Sequence, residues 1–163
     1  MRANKFKHEN ALVVCPIDAT CWILHESFTF SSERNGHQRT FTAPANFVTD
    51  FASIPWALRL IAPRWGRYGW AAVIHDFLYW EQSIDRCGAD EVFLEAMKGS
   101  GVSAWRARLF YWAVRIFGNH AWKKNAALKV RDKSARIRKR PLPNPFAIRK
   151  WKQDYAQAKR QYA

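Results

Sequence analysis

The stretch that most constrains the fold runs from Tyr68 to Gln82, where Ala71, Ala72, Val73, Ile74, Phe77, Leu78, Tyr79 and Trp80 leave almost no polar side. A helix apolar on every face belongs in the middle of a fold, since any uncovered face would leave hydrocarbon in water. The remaining chain must therefore wrap this segment. The same stretch carries His75 and Asp76, which are costly to bury unless something pairs with them. The rest of the sequence has to supply both cover and partners.

The cover reads as β first and helical afterwards. Segments Ala11–Cys15, Cys21–Phe30 and Arg39–Val48 are rich in β-branched and aromatic residues, and Asn35-Gly36 between the last two is a strong hairpin signal. A loop, Thr49-Asp50-Phe51-Ala52-Ser53-Ile54-Pro55, leads to a short apolar helix over Trp56–Ile61 that Pro63 stops. After the central helix, Ser83-Ile84-Asp85 makes a tight connection with Ser83 or Asp85 as N-cap, and a second helix spans Arg86 to Lys98. Ser103 caps a third helix, Ala104 to Phe117, which Gly118 closes, with Trp105, Phe110 and Trp112 read as core.

The fold class is α+β: N-terminal antiparallel β-hairpins, then a three-helix core with an antiparallel His/Asp helix pair, then a basic C-terminal extension. With 163 residues, 48% of them hydrophobic, residues 1–120 suffice for one domain with a real core. Residues 121–163 form a basic helical extension, interrupted by a proline-rich linker at 141–145, with Ile148, Trp151 and Tyr155 at helical spacing beyond it.

Charge sits unevenly on this plan. From Lys123 onward fourteen cations face two acids, so twelve of the total +14 belong to the last quarter. Such a block attracts nucleic acid, an anionic phospholipid surface or an acidic protein surface, and says nothing about chemistry. Three cysteines without a CxxC pair give neither a disulfide framework nor a thiolate metal site. No apolar run is long enough to span a bilayer, and the polar Met1–Asn10 stretch is unlike a secretory signal. Synthesis in the cytoplasm is expected.

The chemistry concentrates on two helices. His75 has Ala71, Ala72, Leu78 and Tyr79 at its helical neighbour positions, so the alanines leave room beside the imidazole. On the next helix Asp90, Phe93, Leu94 and Met97 share a stripe, which places a carboxylate in register with core residues. The short connection makes the helices antiparallel, and a rise of about 1.5 Å per residue brings His75 and Asp90 to similar heights. Asp90 then accepts from one ring nitrogen and leaves the other to take a proton from water, or the pair only secures the two helices. Asp76, about 100° round the helix, is available to a cation, and Asp50 in the loop is a further oxygen donor.

The run His75-Asp76-Phe77-Leu78-Tyr79, followed by Arg86-x-x-Ala89-Asp90-x-x-Phe93-x-x-x-Met97, resembles the core of the prokaryotic phospholipase A2 family. That resemblance implies a calcium-dependent ester hydrolase with His75 as general base, Asp90 orienting it, Tyr79 helping to hold the pair, and Asp76 ligating Ca2+ beside Asp50. This sequence departs from the family in its calcium loop, where Phe51 follows Asp50, glycine is missing and no cysteine is near. The segment Phe47-Val48-Thr49-Asp50-Phe51-Ala52-Ser53-Ile54-Pro55, together with His75-Asp76-x-Leu78-Tyr79, looks like an uncharacterised family of short bacterial and bacteriophage proteins over roughly residues 20–118. That likeness implies a phage or prophage origin, with phage virion proteins as partners. The contrasting reading is a catalytically silent virion structural or nucleic-acid-associated protein on the same scaffold. A His…His-Asp…Asp phosphohydrolase fits poorly, because His25 and His37 fall in strand and turn sequence.

Overall fold

A computed structural model describes residues 7–8, 11–17, 21–34, 37–51, 68–133 and 135–138. The N-terminal part folds into two small antiparallel sheets. One orders β1 (Lys7–His8), β4 (Phe28–Arg34) and β5 (His37–Ala43) as β1-β4-β5. The other orders β2 (Val14–Pro16), β3 (Trp22–Leu24) and β6 (Val48–Thr49) as β2-β3-β6. The β4–β5 register closes at Arg34↔His37, leaving only residues 35–36 between the strands, as the Asn-Gly signal requires. Hydroxyl pairs Thr29–Thr42 and Ser31–Thr40, each at 3.0 Å, tie the two strands side chain to side chain.

The single strand expected over Cys21–Phe30 is two. The exposed corner His25-Glu26-Ser27 turns the chain from one sheet to the other, and buried Leu24 and Phe28 flank it. The sequence pattern does not register this corner because both flanks keep apolar residues on the same side.

Three helices follow: α1 (Gly69–Glu81), α2 (Arg86–Gly99) and α3 (Ala104–Arg131). As its composition demands, α1 is the central one, with Ala71, Ala72, Val73, Ile74, Leu78 and Trp80 all fully buried. It ends at Gln82 in the left-handed region (φ 53°), whose side chain donates to the Trp122 carbonyl of α3 at 2.9 Å. Asp85 caps α2 by accepting from the Gly88 N–H at 3.0 Å.

Two expectations about the third helix are corrected. It does not close at Gly118 but runs 28 residues to Arg131. Gly118 is there for close approach: an added Cβ would overlap the Tyr79 hydroxyl and stand 3.2 Å from its Cζ. Second, Phe110 is core, but Trp105 and Trp112 are largely exposed. The helix is apolar on two faces, and only one has the rest of the fold behind it.

The basic second half of α3 is anchored, with Lys129 Nζ donating to the Glu81 carbonyl at 2.7 Å. Beyond it the chain returns to β6: the Val48 N–H donates to the Arg136 carbonyl and the Arg138 N–H to the Asn46 carbonyl, around an antiparallel Phe47–Ile137 bridge. The helix expected over Trp56–Ile61, the proline-rich linker and the terminal segment lie outside the described residues.

Candidate active site

Asp90, on the second turn of α2, is fully buried and accepts from three helices. Its Oδ1 takes His75 Nε2 at 2.9 Å and the Tyr79 hydroxyl at 2.7 Å, both from α1. Its Oδ2 takes Arg115 Nη1 of α3 at 3.0 Å, with Arg86 Nη1 one helical turn back at 3.5 Å. Arg86 also donates to the Arg115 carbonyl at 3.0 Å, so the two guanidinium groups are placed by the same backbone. Burial alone would raise the carboxyl's pKa. The hydrogen bonds from His75, Tyr79 and Arg115 outweigh burial and hold Asp90 below the usual carboxylate range. Tyr79 is pushed up, first by burial and then by its bond to Asp90, and stays a donor.

An ionised Asp90 can only accept, so His75 Nε2 carries the hydrogen of that bond. Burial pushes the imidazole below its ordinary pKa, against the opposing pull of Asp90 and a weaker one from Asp50. His75 is therefore neutral, with its lone pair on Nδ1. That nitrogen is buried without a hydrogen-bond partner. The ring itself is fixed between Tyr79 (centroids 4.1 Å) and Phe93 (4.6 Å). A buried ring nitrogen with an unused lone pair can accept a proton or bind an electrophile; it contributes nothing to holding the helices together.

Asp76 faces the β6 side. Thr49 Oγ1 donates to its Oδ2, and the Phe51 N–H donates to Thr49 Oγ1 at 3.1 Å. Phe51 holds φ 54°, an uncommon conformation for a bulky residue, with its ring edge-on to Trp22. This bend sets Thr49 against Asp76 and places Asp50 where its charge reaches His75. Asp50 is partly exposed, with Arg136 Nη2 at 3.9 Å.

The five residues singled out in the sequence thus fall in one region of the fold, in two groups. His75, Asp90 and Tyr79 are joined by direct hydrogen bonds; Asp76, next to His75 on α1, is bonded by Thr49 of β6, and Asp50, in the loop after β6, reaches the imidazole through its charge. Asp76, Asp50 and the Thr49 hydroxyl are hard oxygen donors, the type calcium takes. Among the described residues no group of three or more His, Cys, Asp or Glu forms a metal cluster, so further oxygens would be carbonyls, water or substrate. Sequence reasoning missed Arg115, Arg86 and Thr49. Arg86 stood four residues before Asp90, the helical spacing of an ion pair, and was legible; Arg115 and Thr49 were not, because their partner is distant in sequence.

The fold and the site define a small α+β protein organised round a buried histidine–carboxylate centre. The chain belongs to the family described as "Protein of unknown function (DUF1353)", which matches residues 22–114, including His75, Asp76, Tyr79, Arg86 and Asp90, and stops one residue short of Arg115. An uncharacterised protein, y4jT, from Sinorhizobium fredii is 33% identical over 98 residues, 58% of this chain. The match spans only 28% of that relative's length. No solved structure matches. Among the described residues no helix is long and apolar enough to cross a membrane.

Proposed function

We propose that this chain is a phospholipase A2-like ester hydrolase of phage or prophage origin, with His75 as general base. One observation carries the reading: Asp90 fixes His75 through Nε2, and Nδ1 is left buried, neutral and without a partner. That is the arrangement in which a histidine removes a proton from water. Water would give its proton to Nδ1 as its oxygen attacks the ester carbonyl; the imidazolium so formed is stabilised by Asp90. The proton then passes to the leaving alkoxide as the C–O bond breaks, giving fatty acid and lysolipid. Asp76 and Asp50 would hold Ca2+, which when bound supplies Lewis acidity for the carbonyl and charge for the oxyanion. Tyr79, Arg115 and Arg86 keep Asp90 ionised and in place.

The test is release of fatty acid from phosphatidylglycerol vesicles by purified protein, with calcium or with chelator, beside His75→Ala. Calcium-dependent release that the variant loses is the expected result. Equal release from the variant would remove His75 from the mechanism.

A second reading has its own observation. His75 is 3% and Asp90 0% exposed, and the network fastens α1, α2 and α3 together. On this reading the protein is a catalytically silent virion or nucleic-acid-associated component, made in the host cytoplasm. A folded protein that releases nothing from several lipids would establish it over the hydrolase.

A further inference from the structure

The outer face of α3 is chemically unusual. Trp105, Leu109, Trp112 and Ile116 recur at i, i+4, i+7 and i+11, so they form one line about 16 Å long on the helix surface. All four are exposed, with Trp105 at 58%, Trp112 at 60% and Ile116 at 65%; Phe117, about 100° further round the helix, flanks them and is also exposed. Single exposed apolar residues are ordinary, but a contiguous line of four large ones marks an interaction surface.

The charges on the same helix say what kind. Residues 104–131 contain seven cations and no acid. Arg115 and Lys129 point inward, to Asp90 and Glu81. Arg106, Arg108, Lys123 and Lys124 are exposed, and the Arg106 guanidinium lies 5.2 Å from the Trp105 ring centroid. A second copy docked helix to helix would set the exposed cations of one helix against those of the other. Nucleic acid would meet the cations and stack on indoles, but offers nothing to Leu109 and Ile116, which have no π face. What satisfies hydrocarbon, indole and cation together is a surface with an apolar interior, a polar boundary and negative headgroups.

We propose that the outer face of α3 seats this protein on an anionic lipid bilayer, with Trp105, Leu109, Trp112, Ile116 and Phe117 in the interfacial layer and Arg106, Arg108, Lys123 and Lys124 at the headgroups. The proposal goes beyond the hydrolase reading and does not require it, because binding is measured without turnover.

The full chain is sedimented, in chelator, with vesicles of phosphatidylcholine alone and of phosphatidylcholine mixed with phosphatidylglycerol. Binding to the mixed vesicles alone, falling with salt, is expected. Trp105→Ala/Trp112→Ala should weaken it at least about tenfold with an unchanged melting temperature, since both side chains are exposed. Arg106→Glu/Arg108→Glu should weaken it as well. No binding by the wild type, equal binding to both vesicles, or full binding by the tryptophan variant would overturn the proposal. The last result would give the binding to the basic C-terminal region. A wild-type dimer that the tryptophan variant splits, in a protein indifferent to vesicles, would give the face to a second copy. Failure of fatty acid release leaves these outcomes untouched.

Discussion

At the scale of single residues, Asp90 is an acceptor surrounded by donors, and that fixes its charge state. In Asp90→Asn the amide can keep its oxygen toward Arg115 and Arg86 and turn its NH2 to His75 and Tyr79, which His75 accepts only by moving its hydrogen to Nδ1. The guanidinium groups also lose their counter-charge. The expected cost is about 3–5 kcal/mol, the range for removing one partner of a buried ion pair, read from urea unfolding. Acid should act in the same sense. His75 has a folded pKa below its ordinary value, so the unfolded chain binds more protons as pH falls below about 6.5. Asp90 is also depressed; its contribution is present above the ordinary carboxylate value and is lost as pH falls through the folded one. Stability should therefore be level above neutrality and fall below it, first through His75 and then through Asp90. Unfolding midpoints followed from about pH 8 to about pH 2 check this, and His75→Gln should flatten the upper part of the fall. The site itself was largely legible at this scale. A histidine and three aspartates on or beside buried elements have few places to go. The donors to Asp90 and Asp76 from α3 and β6 were not, because arginine and threonine are common in solvated positions.

At the scale of elements, Gly118 separates what sequence shows from what packing decides. A glycine after an apolar run reads as a stop, yet α3 continues because Tyr79 occupies the space a Cβ would fill. Gly118→Ala should gain about 1 kcal/mol of helix propensity. Against this stand about 1–3 kcal/mol of overpacking and part of the charged hydrogen bond from Tyr79 to Asp90. The net expectation is destabilisation by about 2 kcal/mol. In a Tyr79→Phe background the hydroxyl that meets the new methyl is gone, so the alanine penalty should shrink. A double-mutant cycle measured by denaturant unfolding tests this, and strict additivity would separate Gly118 from Tyr79. The helix boundaries of α1 and α2 were readable because caps and connection are local. The split between β3 and β4, the length of α3 and its bare outer face were not. Each depends on which neighbour arrives from far along the chain, and an apolar periodicity looks the same whether or not a face is covered.

For the whole molecule, the question is how the basic end belongs to the domain. Its charge marks it as separate in the sequence, and +12 on one quarter of a chain favours extension from the body. Yet residues 135–138 close the β6 side: the Arg136 carbonyl takes the Val48 N–H, the Arg138 N–H meets the Asn46 carbonyl, and Ile137 bridges Phe47. Arg136 further neighbours Asp50, in the loop that presents Thr49 to Asp76. Backbone pairing is indifferent to side-chain charge, so a basic strand can complete a neutral fold. Two truncations separate these contributions. A chain ending after Arg138 keeps the links to β6, and one ending after Asp132 loses them. At about 0.5–1.5 kcal/mol for each backbone link, with Ile137's contact added, the shorter chain should be less stable by about 3 kcal/mol. The loss should also reach the site, since β6 carries Thr49 against Asp76. Protection of the Val48 and Phe51 amides from hydrogen exchange should therefore fall further than that of α2. Equal stability of the two truncations would mean that residues 135–138 lie against the domain without supporting it.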